Sequence, residues 1–138
     1  MDEDEEQRRA ERAAQADYHV AAQQRREAAE SVKAQVFVDR FVERATAAGL
    51  PTEELTAAPW NGRGRYRTGV IGWYLRRDQS NGVSVDGQFY VLVVAPQRLG
   101  RWRKVAISPT PPPLQPGLGA GDGETASLAD LLELRLRW

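Results

Sequence analysis

The chain has 138 residues, enough for one domain and an extension, and its 19 Lys/Arg and 19 Asp/Glu cancel to a net charge of zero. With no cysteine and a single histidine it has no disulfide, no thiolate nucleophile or metal site, and no convincing zinc set. The acidic start Asp2–Glu6 is the opposite of a basic signal-peptide start, and no apolar run approaches the roughly 18 residues of a membrane span, so a cytoplasmic, membrane-free protein is expected.

The charges are divided along the chain. Residues 1–50 carry eight Lys/Arg against eleven Asp/Glu, whereas residues 60–104 carry nine Lys/Arg against two Asp/Glu. That asymmetry is the most informative global feature.

From about Glu5 to Ala48 there is no Gly or Pro, and Ala, Glu, Gln and Arg predominate, which predicts one long helix ending at Gly49 and Pro51. Its halves differ. Residues 1–30 hold only Tyr18 and Val20 as large apolar side chains after Met1, so they form a charged helical or partly disordered arm. A thin heptad seam runs through Ala14, Tyr18, Ala21, Ala28 and Val32, but Arg25 and Gln35 interrupt it. In residues 31–48, Val32, Val36, Phe37, Phe41, Ala45 and Ala48 recur at spacings of three and four as the expected core-facing stripe, with Val38 and Val42 off it.

Residues 51–64 read as a connector with an Asn61-Gly62 turn. From Arg65 the pattern becomes that of a strand, with Tyr66, Thr68, Val70, Gly72 and Tyr74 on one face and Ile71, Trp73 and Leu75 on the other. Asp86-Gly87 between Val83–Val85 and Gln88–Val94 predicts a hairpin with a type I′ turn. A last strand is expected near Trp102–Ser108. The prolines of 109–116 and the glycines of 117–123 form an extended crossover, and Ser127 opens a capped amphipathic helix over 127–137.

The expected fold is therefore α+β: a long N-terminal helix, an antiparallel meander of about four strands within 65–108, and a short C-terminal helix packed on the sheet. Residues 31–138 form the domain, with the Pro/Gly-rich crossover at 109–126.

Chemistry for an enzyme is thinly supplied. His19 lies in the arm, Asp78 and Asp86 fall in turns, and Gly62-Arg63-Gly64 lacks the strand and helix that a phosphate-cradling loop requires. Asp122-Gly123-Glu124 lacks the other ligands of a calcium loop. The expectation is a protein without cofactor, metal or small-molecule substrate.

The functional candidates are basic and aromatic: Trp60, Arg63, Arg65, Arg67, Arg76, Arg77, Arg101, Trp102, Arg103 and Lys104. Guanidinium groups pair with phosphates, exposed aromatic faces stack on unpaired bases, and Arg and Trp also anchor protein interfaces. The reading is a non-enzymatic interaction module, a protein-binding adaptor or assembly component that uses this surface and the projecting helix, with a protein partner or self-association expected. Nucleic-acid binding through the same Arg/Trp/Tyr patch is the alternative. A further expectation is that the acids of residues 2–6 shield the basic patch.

Overall fold

The computed structural model describes residues 2–115 and 127–138. Helix α1 (Glu3–Ala47) is continuous for 45 residues, about 67 Å at 1.5 Å per residue. Its first turn carries Glu3, Asp4, Glu5 and Glu6, which favours the positive end of the helix dipole. Gly49, at φ +67°, ends it in the left-handed conformation, and the Leu50 N–H bonds back to the Ala45 carbonyl at 2.9 Å.

The core-facing phase of α1 differs from the sequence expectation. Ala34, Val38, Phe41 and Ala45 are buried and Phe37 and Val42 are half-buried, whereas Val32 and Val36 face solvent. A small alanine lets the helix approach the domain at position 34, and burying it selects a face rotated away from the two valines.

Five strands follow: β1 (Glu53–Pro59), β2 (Tyr66–Tyr74), β3 (Asn81–Ser84), β4 (Phe89–Val91) and β5 (Val93–Val94). The sheet order is β4-β3-β2-β1-β5, antiparallel except for the parallel pair β1–β5. It is a mixed sheet and not strictly a meander. The stretch read as a connector contains β1, which lies between β2 and β5. The expected strand at 102–108 is absent: residues 104–113 run as extended coil, tied by the Val105 N–H to the Arg67 carbonyl and the Thr110 N–H to the Phe89 carbonyl, both at 2.8 Å.

The sheet curls until its two edges are successive pieces of one segment, 89–94. Leu92, between β4 and β5, donates its N–H to the Ser80 carbonyl at 2.9 Å and accepts the Ala58 N–H at 2.8 Å. One residue thus joins the β3 side to the β1 side and closes the sheet, which removes exposed edges. Strong bending of β2 permits this. Two β1 residues, Glu54 and Thr56, span the β2 partners Ile71 and Arg67 across a bulge. Gly69 sits within it at φ +75°, and the Thr68 hydroxyl donates to the Leu55 carbonyl at 2.5 Å.

Closure produces two cores. Leu55, Ala57, Tyr74, Tyr90 and Leu92 fill the inside of the curled sheet. Trp73, Leu75, Val83 and Phe89 point outward and pack against α1 and the C-terminal helix α2 (Leu128–Leu136) through Phe41, Leu128 and Leu132. The alternation of Trp73, Tyr74 and Leu75 along β2 follows the expected two faces, and both are buried. Trp73 stacks edge-on against Phe41 with centroids 5.6 Å apart and donates its indole N–H to the Leu50 carbonyl at 3.1 Å.

The β3–β4 hairpin forms where Asp86-Gly87 placed it, with a different turn. Only Gly87 has positive φ, at +83°, and the bonds from Gly87 N–H to the Ser84 carbonyl and from Ser84 N–H to the Gln88 carbonyl define a three-residue loop with a glycine bulge. The Ser127 hydroxyl accepts the Asp130 N–H at 3.2 Å and caps α2 as expected. The crossover from 116 to 126 lies outside the described residues. No helix is long and apolar enough to cross a membrane among the described residues.

Candidate functional site: a basic loop surface with two exposed tryptophans

The end of β1, the end of β5 and the start of β2 meet at one end of the closed sheet. Pro59 pairs with Val94, Ala57 pairs with Tyr66, and the Trp60 N–H donates to the Val94 carbonyl at 3.1 Å. Trp60 therefore leaves β1 at a fixed point, yet its side chain is 69% exposed. The Asn61-Gly62 turn follows and carries the exposed Arg63.

The loop 97–105 folds back over the same end and is pinned three times. The Tyr66 hydroxyl accepts the Gln97 N–H at 3.2 Å. Gly100 lies flat against the Tyr66 ring, so close that a Cβ there would fall 2.6 Å from ring carbons. Val105 is buried and bonded to Arg67. Between these pins the chain turns tightly, with the N–H groups of Trp102 and Arg103 both donating to the Leu99 carbonyl at 3.0 Å. Arg98, Arg101, Trp102 and Arg103 project into solvent, and Trp102 is 83% exposed. Lys104 lays its aliphatic stem along Gly69 on β2, its Cδ 3.4 Å from where a Cβ would stand.

The ten sequence candidates divide into three groups. Trp60 and Arg63 lie on the β1–β2 turn, Arg98, Arg101, Trp102 and Arg103 lie on the loop that crosses Tyr66 at the same end, and Lys104 lies farther along β2 at Gly69. Arg65 and Arg67 are structural there. Arg65 is half-buried, its Nε donating to Thr56 Oγ1 at 2.6 Å and its Nη2 to the Gln79 carbonyl at 2.8 Å, so it straps β1 to the β2–β3 turn. Arg67 pairs with Glu54 at 3.1 Å and holds that carboxyl below its ordinary range, the hydrogen bond being the largest cause. Arg76 and Arg77 belong to a different neighbourhood, the β2–β3 turn facing α2, where Arg77 stands 4.9 Å from the centroid of Trp138. Arg135 covers the same ring at 4.2 Å and donates to the Tyr74 carbonyl at 2.7 Å.

Charge at this end is one-sided. No Asp or Glu occurs from Leu55 to Arg77 or from Gly87 to Gln115, so Glu54 is the carboxylate interacting with Arg67 and Lys104. The continuous helix holds residues 2–6 about 40 Å along its axis from Glu30, whose carboxylate accepts the Leu114 N–H at 2.9 Å.

Sequence reasoning could not separate exposed from buried tryptophans: Trp73 is core, while Trp60 and Trp102 are surface. It also read Arg65 as available. The signal that was legible is the position of Trp60 beside a turn and of Trp102 after Gly100, where glycine permits tight folding but no strand alternation operates.

Among the described residues, two clefts on the domain are lined by none of the ten candidates. One, of about 350 Å³, lies between α1 and α2 beneath the Arg44–Glu133 ion pair. The other, of about 760 Å³, lies between Gln24–Ser31 of α1 and Pro111 and Pro113. Among the described residues no three His, Asp or Glu side chains gather to hold a metal ion. Comparison of the chain with protein-family models, with curated proteins and with solved structures found no match.

Proposed function

We propose that this protein is a non-catalytic module that binds single-stranded nucleic acid across the end of the sheet formed by Trp60, Arg63 and the loop 98–104. The observation that carries the reading is the exposure of Trp60 and Trp102 on pinned backbone, in stretches (55–77 and 87–115) that hold no Asp or Glu beside their arginines. Arginine and lysine would track the phosphates, and the two indole faces would stack on unpaired bases, which a duplex keeps stacked on each other. Pinning at Gln97, Gly100 and Val105 lowers the ordering cost of binding.

The test is fluorescence anisotropy of labelled single-stranded and duplex oligonucleotides against the purified chain from low to physiological salt. Single strands should bind more tightly than duplex, with log affinity falling linearly in log salt. Trp102→Ala should weaken single-strand binding by about tenfold or more with an unchanged melting temperature, since the side chain supports nothing. Absence of binding at low salt, or equal affinity for duplex with no effect of Trp102→Ala, overturns the reading.

A protein-binding adaptor is the second reading, and a separate observation favours it: residues 2–29 of α1 are exposed except for the half-exposed Ala21 and Ala22. Pull-down with and without residues 2–29 addresses it.

A further inference from the structure

Helix α1 carries an exposed apolar stripe on the side turned away from the domain. Val32 and Val36, which sequence periodicity assigns to the core, are 69% and 45% exposed, and Tyr18 is 66% exposed. At 100° per residue, Ala14, Tyr18, Ala21, Arg25, Ala28, Val32 and Val36 fall within about 80° of one another around the helix. The core residues Ala34, Val38 and Ala45 occupy the opposite side. The stripe therefore continues from the arm onto the domain-bound half without rotating into the core.

The charges flanking that stripe are ordered. Glu3, Asp4, Glu11 and Asp17 lie beside its N-terminal half, and Arg25 and Lys33 lie on or beside its C-terminal half. Arg9 and Arg12 lie at least about 100° away from the stripe, and Arg8 lies about 80° from Tyr18. A face that is acidic at one end and basic at the other is complementary to itself when reversed. Two copies side by side in the same direction would instead bring the acids of residues 3–17 together twice.

We propose that the arm pairs antiparallel with the arm of a second copy of this chain, about a two-fold axis near Tyr18. In that register partner positions sum to 36, so Glu11 faces Arg25 and the two Tyr18 rings meet at the axis. The overlap runs from about residue 3 to residue 33, some 46 Å of helix. The alanines at 14, 21 and 28, one heptad apart, let the helices approach closely, and the contact is isologous, so assembly stops at the dimer. Tyr18 precedes Gln24, where α1 begins to line a cleft with the domain, so each domain stands at its own end of the pair.

The absence of native cysteine makes the geometry testable in the full chain. Sedimentation equilibrium should give a dimer, and Tyr18→Cys should form a disulfide-linked dimer on mild oxidation. Glu11→Cys and Arg25→Cys should cross-link when the two variants are mixed, and Asp4→Cys alone should not. Glu11→Arg should weaken self-association by about tenfold, and adding Arg25→Glu should restore it. A monomer at 100 µM, ready cross-linking of Asp4→Cys to itself, or a dimer indifferent to Glu11→Arg overturns the proposal. Circular dichroism of each variant separates lost pairing from lost helix.

Discussion

Replacing Leu92 by alanine tests whether the sheet is closed. Leu92 is fully buried among Leu55, Ala57, Tyr74 and Tyr90, and its backbone bonds to Ser80 on one side and Ala58 on the other. Removing three carbons forfeits about 2.4 kcal/mol of transfer free energy at 0.8 kcal/mol each, and the cavity left in a core walled by backbone adds to that. The expected cost is about 3–4 kcal/mol. With a urea slope of about 2 kcal/mol/M, the unfolding midpoint should fall by roughly 1.5–2 M. Val91 and Val93, its neighbours on the same segment, point outward and are exposed, so alanine at either should move the midpoint by less than about 0.5 M. If Leu92→Ala shifts the midpoint no more than Val91→Ala does, Leu92 lies at an open edge and the closed-sheet argument fails.

Gly100→Ala should destabilise by about 1–3 kcal/mol and also weaken oligonucleotide binding, because a methyl group there overlaps the Tyr66 ring and must lift the loop that carries Trp102; a change in stability with unaltered binding would uncouple that loop from the site. Arg65→Ala should cost about 2 kcal/mol by freeing the polar groups of Thr56 and Gln79, whereas Arg63→Ala should leave thermal stability within about 0.5 kcal/mol while lowering the salt slope of binding by about one; equal thermal shifts would refute the division between strap and surface. Glu54 and Glu133 are both held below their ordinary range, chiefly by hydrogen bonds from Arg67 and Arg44. Their contributions are complete above the unfolded-state value and are lost as pH falls through the lower folded-state value, so acid should destabilise. The Arg44–Glu133 pair and the Arg67 side chain are exposed, so 1 M salt should flatten that dependence, and stability that rises on acidification would contradict the pairing.

The strongest local signals in the sequence survive in the fold, each with a correction that has a physical cause. Asp86-Gly87 marks a hairpin, but only Gly87 adopts positive φ, because the three-residue loop needs a left-handed residue at one position. The periodicity of α1 identifies a helix with a core face, yet valine at 32 and 36 outweighs alanine at 34 in any hydrophobic count. The domain buries the alanine because it admits close packing. Strand β1 escaped notice because TEELTAAP has few large apolar residues and ends in proline. Inside a curled sheet its inward positions are Leu55 and Ala57, where little space remains for larger side chains. Trp102–Ser108 resembles a strand through its alternation, but it meets the sheet through the isolated backbone bond from Val105 to Arg67 and builds no ladder.

The same closure explains why the candidate site could be listed from the sequence but not delimited. Ten basic and aromatic residues spread from 60 to 104 have no fixed grouping until the strand order is known. Once β5 lies beside β1, the exits of β1 and β5 and the entry of β2 share one end, and the loop after β5 must cross Tyr66 to leave. That crossing is possible only because residue 100 has no side chain. It fixes the backbone on both sides of Trp102 while leaving the indole without any protein surface to cover it. Burial of an indole is favourable wherever a fold permits it, as Trp73 shows against Phe41. Two tryptophans, by contrast, are held out of the core by hydrogen-bonded backbone, Trp60 at the exit of β1 and Trp102 in the loop that crosses Tyr66.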